Sequence, residues 1–149
     1  MKNIQCKSIL PSLLLIPLCV LSALGLTILL YYLIYTLLES AFYPNDPLSF
    51  PAGLVRTGYA IVLVILYLVL YRTKAPELLK AILLASPVAA VIITTVFKFY
   101  DQPAVFIPIM LVIPAVCAFI LYRAHKPWVY YYSLAISSLV AIWYAWPRI

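Results

Sequence analysis

Leu10-Pro11-Ser12-Leu13-Leu14-Leu15-Ile16-Pro17-Leu18-Cys19-Val20-Leu21-Ser22-Ala23-Leu24-Gly25-Leu26-Thr27-Ile28-Leu29-Leu30-Tyr31-Tyr32-Leu33-Ile34-Tyr35-Thr36-Leu37 contains no charged residue. The uncharged window is wider still, because 31 residues separate Lys7 from Glu39. Lys2 and Lys7 ahead of it resemble the start of a secretory signal, but the apolar core of a signal is only about 7–15 residues long. No Ala-x-Ala site follows, and the bulky Leu18 before Cys19 makes a poor lipoprotein box. About 20 residues suffice to cross the hydrocarbon of a bilayer. The stretch therefore reads as a retained transmembrane helix, long enough to tilt or to project from the membrane.

The rest of the chain repeats this pattern. Hydrophobic residues form 67% of the 149 and charged residues 9%, against about 45–50% and about 25% in globular proteins. So few charges cannot coat a soluble enzyme or a nucleic-acid-binding domain, and the apolar content excludes a disordered chain. The charges instead cut the sequence into five spans, at about 10–37, 53–71, 78–97, 104–122 and 128–146. Between the first two lies Tyr43-Pro44-Asn45-Asp46-Pro47-Leu48-Ser49-Phe50-Pro51, a loop by its prolines, Asn and Asp. Arg72-Thr73-Lys74-Ala75-Pro76-Glu77 is a charged turn, with Glu77 beside the positive N-terminal end of the next helix. Asp101-Gln102-Pro103 and His125-Lys126-Pro127 are short turns whose prolines can open the helices that follow. Pro17, Pro87, Pro108 and Pro114 fall inside spans, where each removes a backbone donor and can kink the helix. The expected fold is an all-α bundle of five transmembrane helices, a single domain over residues 1–149.

The net charge of +6 carries orientation rather than nucleic-acid binding. With the N-terminus inside, Lys2, Lys7, Arg72, Lys74, Lys80, Arg123 and Lys126 are cytoplasmic, and Arg56, Lys98 and Arg148 are outside. That asymmetry fits the positive-inside rule and predicts N-in, C-out topology, in a plasma or inner membrane. Tyr and Trp near the span ends, Tyr130 among them, read as interfacial belts. The inner bases face a surface where anionic lipid attracts each by about 1 kcal/mol.

Close helix contact in lipid requires small side chains. Ala81, Ala85 and Ala89 recur every four residues in the third span, and Ser133, Ser137 and Ala141, continued by Ala145, do so in the fifth. Both ridges are expected at buried helix contacts. No ionisable residue sits at the centre of any span, which weakens proton- and ion-coupled mechanisms. The mid-membrane hydroxyls, such as Thr27, Ser86, Thr94 and Thr95, ordinarily bond their own helix.

The outer side gathers Glu39, Asp46, Arg56, Lys98, Asp101 and Arg148. Arg56, Lys98, Asp101 and Glu39 form a candidate ligand site. Lys98 and Asp101 are three apart and can pair, and the flat fork of Arg56 suits a phosphate or carboxylate. The plainer alternative is solvated loop charge. No catalytic pair has a diagnostic spacing. The one His and three Cys, Cys6, Cys19 and Cys117, show no metal-binding spacing, so no metal or cofactor is implied. Cys6 lies beside the first span, where acylation occurs in other proteins, but proximity is its one signal and an unmodified thiol is expected. The first expectation for function is a non-catalytic accessory or interaction subunit that works through helix packing, the small-residue ridges suggesting a membrane protein or its own copies as partner. The alternative is an oligomeric transporter or channel module for a small neutral or anionic solute. A lipid-modifying enzyme at the outer interface ranks last.

Overall fold

The structure, a computed structural model, describes residues 5–46 and 49–146, with side chains from residue 13 onward. Lys2 and Arg148 lie outside the described residues, as do the side chains of Cys6 and Lys7. The elements are α1 (Gln5–Phe42), α2 (Ala52–Arg72), α3 (Glu77–Leu83), α4 (Ala85–Lys98), α5 (Pro103–Arg123) and α6 (Trp128–Ala145). No strand occurs among the described residues. Four segments are long and apolar enough to cross a membrane: Leu13–Phe42, Ala52–Arg72, Glu77–Lys98 and Pro103–Arg123. The fifth expected span corresponds to α6, 18 residues long. It carries no charged residue, but its six Tyr and Trp and three Ser give it a lower mean hydropathy than the other four.

The prolines act unequally. The third span divides into α3 and α4 at Leu84, although Leu84 keeps helical angles (φ −59°, ψ −30°). Pro87 has no N–H to offer the Leu83 carbonyl, and the Val88 N–H reaches Leu84 O only at 3.4 Å. Pro108 and Pro114 lie inside an unbroken α5, and Pro17 inside an unbroken α1. Pro51, Pro76 and Pro127 stand at the N-caps of α2, α3 and α6. The α5–α6 turn closes with His125 in the left-handed region (φ 50°). The Lys126 N–H returns to Leu121 O at 3.1 Å and the His125 N–H to Tyr122 O at 3.1 Å, the pairing of a Schellman end. That turn folds Lys126 back over the bundle.

Three short turns make α2, the α3–α4 segment, α5 and α6 successive antiparallel neighbours. The packed centre is formed by α3, α4 and α6, flanked by α1 and α5, while α2 docks on α1, α3 and α4. Ile16, Val20 and Leu24 come in from α1 at intervals of four, and Val88, Ile92 and Val96 from α4. By contrast α2 buries only Ala60. It turns Leu54, Ile61, Val62, Ile65, Leu66, Leu68 and Val69 outward. An exterior this apolar suits insertion into hydrocarbon.

Aromatic contacts brace both ends. At the Arg56 end, Phe50 packs edge-on against Tyr35 at 5.0 Å and Tyr43 at 5.6 Å, and Tyr31 meets Tyr59 at 5.4 Å. At 38 residues, α1 is about 57 Å long at 1.5 Å per residue, far more than a hydrocarbon core of about 30 Å. The loop before α2 runs back along its surplus turns.

Candidate functional site

A cleft of about 210 Å³ opens between α1, α2, α4 and α6. Its floor is made of hydroxyls. Thr27 donates to Ala23 O on its own helix at 2.7 Å and lies 2.8 Å from Ser86 Oγ on α4. The Tyr59 hydroxyl of α2 donates to Thr27 O at 2.8 Å. These bonds tie three helices together below the cleft, so its shape is held by the fold. The walls are Leu24, Ile28, Ala89, Ala90, Ile93, Val140 and Ala141, with one hydroxyl, that of Thr94, among them. The rim carries Tyr31, Phe97, Trp143, Tyr144 and Arg56. Arg56 is half-buried, and its guanidinium lies over the Phe97 ring, 4.3 Å from the centroid. A second groove of about 270 Å³, between α2 and α4, is lined by Thr57, Ala60, Ile61, Val64, Ile65, Val91, Thr94 and Thr95 and carries no charge.

Of the four residues grouped from sequence, only Arg56 lines the cleft. Glu39 is half-buried near the end of α1, whereas Lys98 and Asp101 are exposed. Lys98 and Asp101 do not form the expected ion pair. The helix stops at Lys98, Phe99 leaves helical geometry (φ −112°, ψ 22°), and the three-residue spacing no longer stacks one side chain over the other. Among the described residues, both ion pairs involve Glu77.

The small-residue ridges are both buried. Ala81, Ala85, Ser133, Ser137 and Ala141 are fully enclosed and Ala89 nearly so, in the region where α3, α4 and α6 meet. Ser137 donates to Leu134 O of its own helix at 3.0 Å, and Thr95 to Val91 O at 2.7 Å, the habit expected of helix hydroxyls. Thr27 and Ser86 break that habit by meeting across helices.

A second polar cluster, missed from sequence, occupies the opposite end. Tyr130 is not a belt residue; it is the largest fully buried side chain, at 0% exposure. Its hydroxyl donates to Glu77 Oε2, which also receives Lys126 Nζ at 3.2 Å. Lys80, only 7% exposed, lies 3.8 Å from Glu77 Oε1. Tyr71 lies under both ammonium groups, 4.7 Å from Lys126 and 5.6 Å from Lys80. Burial pushes the Lys126 ammonium down, but its contacts with Tyr71 and Glu77 outweigh that and hold it above its ordinary value. The available signal was Glu77 itself, the one acid expected on a side crowded with bases. The cluster fastens the start of α3 to the α5–α6 turn.

Comparison with protein-family models, with curated proteins and with solved structures gives no match.

Proposed function

We propose that this chain crosses a cell membrane five times, N-in and C-out, and serves as a non-catalytic accessory protein. Its working surface is the cleft between α1, α2, α4 and α6, which takes up a molecule from the surrounding lipid. The observation that carries this reading is the cleft itself: apolar walls inside a fixed frame, with one cation at the rim. The ridges that suggested a partner subunit are spent on internal packing, which favours a bound small molecule over a docked helix. The cleft lining contains no carboxylate, His or Cys, the groups that general acid–base or nucleophilic chemistry ordinarily uses. The split of Lys and Arg between the two ends supports the orientation, and the polarity of α6 suits a helix that faces protein on several sides. The plasma membrane is the natural location for such a charge asymmetry.

Two measurements test this. A phosphatase reporter fused after Trp146 is expected to be active outside the cell, and activity only inside overturns the topology. Delipidated protein mixed with monoolein is expected to hold one molecule by native mass spectrometry. Ala90→Phe, which fills the cleft, is expected to abolish that binding. Undiminished binding overturns the cleft as the working surface.

A further inference from the structure

We infer that the ligand is a single-chain amphiphile of the outer leaflet with an anionic headgroup, phosphate or carboxylate, held at Arg56. The inference rests on the cleft reading above and adds the chemistry of the occupant.

Charge is the first argument. Arg56 is the sole charged residue in the lining, and among the described residues no carboxylate pairs with it. The centroid of the Phe97 ring lies 4.3 Å from the Arg56 Cζ, and the ring holds the cation through the charge of its face. The ring carries no nitrogen or oxygen acceptor, so the five N–H donors of the fork are left for water or a ligand. A half-buried cation of this kind is complementary to an anion, and a planar fork to an oxyanion that accepts two bonds.

Length is the second argument. Phe97 and Ser86, at the rim and the floor, are eleven residues apart on a helical path, or about 16 Å at 1.5 Å per residue. That is about half of a 30 Å hydrocarbon core. With Arg56 at the headgroup level, the floor reaches the bilayer centre, so the cleft has the length of one leaflet.

The walls give the third. At about 210 Å³ the cleft is smaller than the 300–1,000 Å³ typical of sites that enclose a whole ligand. It holds one chain rather than two, with the headgroup outside. A polar solute would need several partners along the wall, where the Thr94 hydroxyl stands alone among Ala89, Ala90, Ile93 and Val140. Thr27 and Ser86 satisfy each other, leaving the floor compatible with the methyl end of a chain.

The test compares oleoyl lysophosphatidate with monoolein, which shares its chain and lacks the phosphate. Native mass spectrometry on the full chain should show lysophosphatidate binding at least about tenfold more tightly, the usual scale for a hydrogen-bonded charge. Arg56→Gln should bring the two affinities together, and Arg56→Lys should keep part of the preference. Ala90→Phe should abolish binding of both. Equal affinity for the two lipids in the wild-type protein overturns the anionic ligand but leaves the cleft standing. Binding of both lipids to Ala90→Phe overturns the cleft and the ligand together. If inorganic phosphate displaces lysophosphatidate at equal concentration, the site is one for a free anion, and the amphiphile is overturned. A monodisperse elution profile for each variant separates lost binding from misfolding.

Discussion

Ala85→Leu is the sharpest test of the packed centre. Ala85 has no exposed surface and sits one turn from both Ala81 and Ala89, on the ridge near Ser133, Ser137 and Ala141. Leucine adds three carbon atoms where no space remains. Overpacking of this kind typically costs about 1–3 kcal/mol. The upper half of that range applies here, because Ala85 lies where α3, α4 and α6 meet and more than one helix must shift to make room. An expected loss of about 2–3 kcal/mol lowers the folded-to-unfolded ratio about 30- to 140-fold. Reversible unfolding in mixed detergent and dodecyl sulfate, followed by circular dichroism, measures it. Leu111→Ala is the control, since Leu111 is 65% exposed on α5 and faces lipid. Its expected change is within about 0.5 kcal/mol. If Ala85→Leu unfolds like the wild type, or if Leu111→Ala costs as much, the assignment of inner and outer faces is wrong.

Two further outcomes follow from the ends and the break. The raised Lys126 ammonium contributes stability that is complete below the ordinary lysine value of about 10.4. The contribution is lost as pH rises through the higher folded-state value. The thermal midpoint in detergent should therefore hold from pH 7 to 9 and fall in strongly alkaline buffer, and Lys126→Met should remove that part of the fall. Pro87→Ala supplies the N–H that the Leu83 carbonyl lacks, so hydrogen exchange at Leu84 and Val88 should slow as α3 and α4 join; unchanged exchange would assign the break to another cause.

The helical class and the position of each long helix were legible because a chain in lipid must satisfy its backbone within each segment. Uncharged runs then mark helices directly. The ridges Ala81, Ala85, Ala89 and Ser133, Ser137, Ala141 were legible for a related reason, since small residues every four positions form a face on any helix. Of the four charged residues grouped from sequence as a candidate site, only Arg56 lines the cleft. Grouping it with Glu39, Lys98 and Asp101 relied on the end of the bundle they share, and position along the axis says nothing about direction around it. Tyr130 shows the same limit. A tyrosine near a span end is a belt residue if it faces lipid and a core residue if it meets Glu77, and one-dimensional spacing does not distinguish these. The Thr27–Ser86 bond joins residues 59 apart in sequence, a pairing that no local rule reaches.

The centrality of α6 also dictates an order of events during synthesis. It is the last of these helices to leave the ribosome, yet α3 and α4 bury their small-residue faces near it. Until α6 arrives, those faces lie open in the bilayer, and Glu77 has neither Tyr130 nor Lys126. The earlier helices alone thus leave the inner surface of the bundle unpacked, and the packed centre closes only when α6 docks.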